Sequence, residues 1–217
     1  MVEVLPKLTC RHFPCGPIRT NEYLVANSHG RSVLIDAAPG SFDEYAKLSR
    51  NNPNRLEAVL LTHGHWDHFL DAPRFQSEGV PVYVSTFDGI WIKQLEYVRD
   101  FVPAELDGAP CTANFYLNHG DSLNLLGVEW RVLGIGGHTP GGLAYYLPGM
   151  HWVFTGDSLF AGTIGRTDLP GGSHMQLINE IQERLLTLPP ETQIFPGHGG
   201  SSTIGREIEG NPYMLHS

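Results

Sequence analysis

Thr62-His-Gly-His-Trp-Asp-His68 places His63, His65, Asp67 and His68 within six positions, directly after the apolar run Ala58-Val-Leu-Leu61. Imidazole and carboxylate together are ligand types that suit zinc, iron or manganese. If Ala58 to Thr62 is a strand, His63 and His65 leave its end two residues apart and can point to the same side. That arrangement puts His63 and His65 on one metal and turns Asp67 and His68 toward a second. A surface loop that happens to be rich in histidine is the competing reading. Three His and one Asp at this spacing, just behind a buried-looking strand, argue against it.

Three more candidate ligands each sit at the end of an apolar run, beside a Gly-rich turn. They are His138 in Gly137-His-Thr-Pro-Gly141, Asp157 in Thr155-Gly-Asp-Ser158 and His198 in Pro196-Gly-His-Gly199. A lone His is more often structural or solvated than a ligand, and the shared setting is what raises these three. Seven donors are too many for one tetrahedral ion and enough for two ions sharing a carboxylate. The expected cofactors are two divalent metal ions, zinc first, with iron or manganese as the other candidates. A water bridging two such ions loses a proton near neutral pH and becomes a hydroxide nucleophile that needs no Ser or Cys. Asp67 and Asp157 are then the catalytic carboxylates as well as ligands. A thioester is the apt substrate, because its thiolate leaves without strong acid assistance.

The rest of the composition agrees with one compact enzyme domain over residues 1–217. Hydrophobic residues at 41% and charged residues at 17% are ordinary globular values. The formal net charge of -9 argues against nucleic acid as a partner, since phosphate contacts need a basic surface. Two divalent cations would still add four positive charges at the cleft, so anionic small molecules stay open as substrates. Cys10, Cys15 and Cys111 carry no zinc-ribbon spacing and read as reduced thiols. No signal-peptide core precedes Pro17 and no run reaches membrane-spanning length, so a cytoplasmic protein with no membrane partner is expected. His12, His29, His119, His151, His174 and His216 have no motif around them and are left outside the site.

Along the chain, Asn21 to Ala26 and Ser32 to Asp36 read as paired strands around the His29-Gly30 turn. Ser41-Phe-Asp-Glu44 has the capping-box pattern and opens a helix that stops before Pro53. Phe69 to Ser77 reads as a helix and Val80 to Ser85 as the next strand. Asp88 to Phe101 is amphipathic, with Ile92, Leu95 and Val98 at helical spacing on a core-facing stripe. Val102 to Thr112, with two prolines and a glycine, reads as a lid or as a connector. Strands follow near Phe115, at Glu129 to Leu133, Leu143 to Leu147 and Trp152 to Phe154. Ser173 with Gln176 opens the last clear helix, and Thr192 to Phe195 delivers His198. Strands in two batches, each followed by helices, predict an α/β protein with two sheets face to face and helices outside.

The ordered set His63, His65, Asp67, His68, His138, Asp157 and His198 resembles the His-x-His-x-Asp-His signature and downstream ligands of the metallo-β-lactamase superfamily. Within it, Thr155-Gly-Asp-Ser-Leu-Phe-Ala-Gly-Thr-Ile-Gly-Arg-Thr-Asp168 and Pro196-Gly-His-Gly-Gly-Ser-Ser-Thr-Ile-Gly-Arg-Glu207, with Asn211-Pro212, are similar to the short bacterial glyoxalase II-like hydrolases. The resemblance implies a four-layer αβ/βα sandwich of two mixed sheets with the metals at one edge. It also implies that Asp157 bridges the two ions, and that hydroxyacylglutathione-type thioesters are the substrates. Asp36 falls where relatives place an acid behind a ligand His, although a turn-forming Asp is an equal reading. Arg166 falls where glyoxalase II has a basic residue near glutathione, but Asp168 stands where an aromatic is usual. An ion pair between Arg166 and a carboxylate is therefore as good a reading as substrate binding. Gly64 replaces the third His usual in glyoxalase II, and no separate C-terminal helical domain for glutathione is expected after His198. The alternatives are a persulfide dioxygenase-like iron oxidoreductase, or a hydrolase of another ester, a lactone or a phosphoester.

Overall fold

Period-two alternation along the strands divides the apolar residues among three cores. In the computed structural model, which describes residues 7–51, 55–95, 101–106 and 108–214, the first sheet has the order β1 (Leu8–Cys15), β2 (Thr20–Asn27), β3 (Arg31–Ile35), β4 (Arg55–Leu60), β5 (Val82–Ser85), β6 (Phe115–Leu117). β1 to β3 pair antiparallel, and β3 to β6 run parallel. The second sheet has the order β14 (Ser202–Thr203), β13 (Gln193–Pro196), β10 (Trp152–Gly156), β9 (Leu143–Leu147), β8 (Val128–Gly134), β7 (Ser122–Leu125). Only its β10–β13 pairing is parallel. β11 (Leu159–Phe160) and β12 (Thr163–Ile164) form a separate small hairpin.

Val33 and Ile35 of β3, with Ala58 and Leu60 of β4, face the second sheet, where Trp130, Val132, Tyr145 and Phe154 meet them. The intervening Leu34, Val59 and Leu61 face outward against Phe69 and Phe75. On the other sheet, Ala144, Tyr146 and Val153 face outward to Leu177, Ile181 and Leu185. α1 (Ser41–Asn51), α2 (Trp66–Phe69), α3 (Ala72–Ser77) and α4 (Gly89–Lys93) belong to the first sheet. α5 (His174–Glu180), continued by a π turn over Ile181–Leu185, and α6 (Ile204–Gly210) belong to the second. The layers are αβ/βα, as expected. An aromatic ring such as Trp130 or Phe154, both fully buried, removes roughly 150–250 Å² at about 25 cal/mol per Å². An exposed ion pair such as Arg74–Asp43 contributes under ~1 kcal/mol. The inner aromatic layer, not surface charge, holds sheet to sheet.

Four local expectations need correction. The helix at Ser41 forms, but its capping box does not: Ser41 Oγ is buried without a hydrogen-bond partner. The Asp71 carboxylate accepts from Gly40 N and Phe42 N instead, at 3.0 and 2.9 Å, so a tertiary carboxylate replaces the local cap. The single helix expected over Phe69 to Ser77 is two, α2 and α3, broken where Asp71 N turns to Ala37 O and Pro73 lacks an N–H to continue. Of the amphipathic helix expected from Asp88, Gly89–Lys93 is helical with Ile92 fully buried; Val98 lies outside the described residues. The polar strand β1 was not expected: it is an edge strand, where Pro14, Arg11 and His12 are tolerated. In the Val102–Thr112 connection, Val102 and Leu106 pack on the first sheet's outer core and Cys111 is buried; Asp107 lies outside the described residues.

The strands deliver every candidate ligand to one edge. β4 ends just before His63, β8 precedes the His138 loop, β10 ends before Asp157 and β13 before His198. Two hydrogen bonds fasten the sheets there: Leu143 N donates to Thr62 O, and the Tyr145 hydroxyl to Leu61 O, both at 2.7 Å.

Candidate metal centre

The seven candidates converge in overlapping groups whose donor atoms lie within 4.8 Å of one another: His63, His65 and His138; Asp67, His68 and His198; and His63, His68 and Asp157. His63 Nε2 lies 3.0 Å from His65 Nδ1. Asp67 Oδ2 is 3.2 Å from both His68 Nε2 and His198 Nε2. Asp157 faces both histidine groups, with Oδ1 3.4 Å from His68 Nε2 and Oδ2 3.7 Å from His138 Nε2 and 3.5 Å from His198 Nε2.

Hydrogen bonds behind the rings fix their tautomers. His138 Nδ1 meets the Arg166 carbonyl at 2.7 Å; a carbonyl only accepts, so Nδ1 carries the proton and Nε2 turns a lone pair into the cluster. His68 Nδ1 donates to Asp36 Oδ2 at 2.8 Å. Asp36 also accepts from Thr62 N and Thr62 Oγ1, at 2.7 and 2.9 Å. Having given its proton to Asp36, the Thr62 hydroxyl accepts from His63 Nδ1 at 3.1 Å, which frees His63 Nε2. Asp36 sits at φ 65. Both readings of it therefore hold, as turn residue and as the acid behind His68.

The donor set fits divalent cations. His68 Nε2, His138 Nε2 and Asp157 Oδ1 are buried without a hydrogen-bond partner, and a cation satisfies lone pairs of both kinds at once. Burial, with neighbouring imidazoles, holds His63 well below its ordinary pKa and takes His65 down to about 3, so both are neutral ligands at physiological pH. Burial opposes charge on His68, yet Asp67, Asp36 and Asp157 outweigh it and raise its pKa. Burial likewise opposes charge on Asp67 and Asp157, and the surrounding imidazoles outweigh it, keeping both carboxylates ionised. The pocket pulls for positive charge.

Several supporting residues had no motif to announce them. Asp88, fully buried, accepts from Gly64 N at 2.8 Å, Thr139 Oγ1 at 2.7 Å and Gly141 N at 2.7 Å, tying the His63–His65 turn to the His138 turn. It follows β5 closely, a strand-end setting like that of the ligands, and that was the available signal. Thr20 Oγ1 donates to Asp67 Oδ2 at 2.8 Å, and Asn21 Nδ2 to the carbonyls of Pro196 and Gly199, at 2.9 Å each, on either side of His198. The missing third His is also explained: a Cβ on Gly64 would stand 3.2 Å from Asp88 Cβ and Trp91 Cβ. Gly197 is required by close approach, since a Cβ there would overlap Asp157 Oδ1.

Asp88→Ala is expected to strand three donors at a cost of about 2–4 kcal/mol, since each unpaired buried group costs about 1–3. At about 2–4 °C per kcal/mol for a chain this size, Tm falls by about 5–15 °C. Thermal unfolding with metal analysis checks this; an unchanged Tm and full metal content would remove Asp88 from the scaffold of the centre.

A cavity of about 460 Å³ opens over His65, Asp67, His138, Asp157 and His198. Arg166 lines it, but its Nε and Nη2 donate to the two Asp168 oxygens at 2.8 Å each, so the expected ion pair is present. A larger cavity of about 690 Å³ is lined by the paired Arg31 and Glu57 and by Phe75, and by none of the candidate ligands.

The sequence profile of the metallo-beta-lactamase superfamily matches residues 15–198. The hydroxyacylglutathione hydrolase GloC of Haemophilus influenzae is 36% identical over 204 residues, which cover 93% of this chain and 95% of that protein. The crystal structure of BLEG-1 B3 metallo-beta-lactamase aligns with TM-score 0.84 and 33% identity, over 95% of this chain and 100% of that one. That of TTHA1623 in a di-iron-bound form aligns with TM-score 0.79 and 35% identity, over 97% of this chain and 100% of that one. With the profile spanning the centre from before His63 through His198, this chain belongs to the metallo-beta-lactamase superfamily.

Proposed function

We propose that this chain is a dinuclear metal-dependent thioester hydrolase with hydroxyacylglutathione hydrolase-like activity. The observation that carries the reading is the Asp157 carboxylate, which faces His138 on one side and His68 and His198 on the other. In this reading His63, His65 and His138 hold one ion, Asp67, His68 and His198 hold the other, and Asp157 is shared. Two bound divalent ions supply a water deprotonated near neutral pH and polarise an acyl carbonyl. Zinc is assigned first. Iron suits the same imidazole and carboxylate donors, and the similar TTHA1623 has a di-iron-bound form.

The protein's own groups supply position and charge. Asp67, steadied by Thr20, and Asp157 stay ionised and hold their oxygens toward the imidazoles. Asp36 and the Arg166 carbonyl keep the Nε2 lone pairs of His68 and His138 aimed inward. Among the described residues lining the cavity there is no Lys, Tyr or Cys to protonate a departing amine. A thiolate leaves without that help, which favours thioesters over amides, and the similarity to GloC points the same way. No helix among the described residues is long and apolar enough to cross a membrane. The buried thiols of Cys10, Cys15 and Cys111, raised to about 12, 12 and 11 by burial, accord with a cytoplasmic setting.

Turnover of thioesters, lactones and phosphoesters by protein of measured metal content tests the proposal. Cleavage of S-D-lactoylglutathione and of simpler thioesters, well above the other classes, is expected. Oxygen uptake with glutathione persulfide, without thioester cleavage, would move the chain to the iron dioxygenases.

A further inference from the structure

The cavity over the metal centre is walled on its apolar side by Ile18, Trp66, Phe101, Phe160 and Leu169. Ile18 is 51% exposed and Phe101 44%. Single exposed hydrophobics are normal on any protein, but these converge with three more on one concavity of about 460 Å³, a size typical of small-molecule sites. A ligand there gains affinity by covering apolar surface.

The charges of the same cavity point the other way for an acidic ligand. Arg166 is the one Lys or Arg among the described lining residues, and both prongs of its guanidinium are occupied by Asp168. An incoming carboxylate must displace Asp168 from that fork or remain beside its negative charge. His138 Nδ1 holds the Arg166 carbonyl, which fixes this turn against the centre.

Resting on the thioester hydrolase reading, we infer that the cleft selects thioesters with an apolar, aryl-sized acyl group on an uncharged thiol. Asp168 acts as a specificity-determining residue that disfavours carboxylate-bearing thiols such as glutathione. The Arg166 and Asp168 side chains are 62% and 68% exposed, so water screens the pair and its displacement costs little. Its effect on an anionic substrate is correspondingly a factor of a few, whereas the apolar wall discriminates by roughly tenfold or more.

Steady-state kinetics on the metal-loaded protein, with S-phenylacetyl-N-acetylcysteamine and S-D-lactoylglutathione as the paired substrates, test this. The wild type is expected to favour the phenylacetyl thioester by roughly tenfold or more in kcat/KM. Asp168→Asn frees the guanidinium and should shift that ratio toward the glutathione thioester by about three- to fivefold, chiefly through KM. Ile18→Ala, at an exposed position, should shorten the wall and raise KM for the phenylacetyl thioester by about threefold. A wild-type preference for lactoylglutathione, or a ratio unmoved by Asp168→Asn, overturns the inference while leaving thioester hydrolysis standing. Turnover of β-lactams or lactones with no thioester cleaved would instead overturn the functional reading beneath it.

Discussion

Removal of divalent metal by a chelator is expected to reduce hydrolysis at least about 10³-fold, because the ions provide several kcal/mol of transition-state stabilisation that no side chain replaces. Addition of zinc or iron should restore it, with saturation at two equivalents. The structural ground is the set of buried atoms left without hydrogen-bond partners, His68 Nε2, His138 Nε2 and Asp157 Oδ1, in a pocket that draws positive charge onto His68. Metal binds only the folded arrangement and so stabilises it, by about 4 kcal/mol at a thousandfold excess over Kd. For a chain this size that corresponds to a rise in Tm of about 8–16 °C. Mass-spectrometric metal analysis decides between one ion and two. Saturation at a single equivalent under excess metal would sink the dinuclear assignment.

His198→Ala is expected to lower thioester turnover by about 10²- to 10³-fold and to reduce metal content from two equivalents toward one. His198 belongs to the group with Asp67 and His68 and touches both carboxylates, Asp67 at 3.2 Å and Asp157 at 3.5 Å. It contributes nothing to the apolar cores, and its side chain is 29% exposed, so the fold should survive its loss. His63, His65 and His138 are unaffected, which leaves the other group able to bind. Wild-type turnover in this variant would show that His198 serves some other purpose.

The ligands were legible because each stands where a strand stops, and strand ends can be read from apolar runs. The layering was legible for the same reason: Val33, Ile35, Ala58 and Leu60 alternate with Leu34, Val59 and Leu61, and alternation assigns them to opposite faces. What could not be read depends on partners distant in the chain. Ser41-Phe-Asp-Glu44 has the local pattern of a cap, but Asp71, thirty residues on, takes the N–H groups first. Asp88 becomes a strap only because the Gly64 and Gly141 turns meet around it. Thr20 and Asn21 lie in a strand with no apolar rhythm to announce them, yet they hold Asp67 and the turn around His198. Asp36 offered two readings, and the sequence had no means to say that one carboxylate would satisfy both.

Each sheet is built from a continuous stretch of chain, the first from Leu8 to Leu117 and the second from Ser122 to Thr203. Every group of candidate ligands nevertheless draws on both stretches. A chain growing from its N-terminus therefore carries His63, His65, Asp67 and His68 for much of its synthesis without a completed metal site. Capture of an ion by all three members of any group must wait until the second stretch has emerged and docked, since folding follows the order of synthesis. Metal loading is thus a late event in the protein's biogenesis, and an ion held in full coordination reports that the last ligand-bearing turn has arrived.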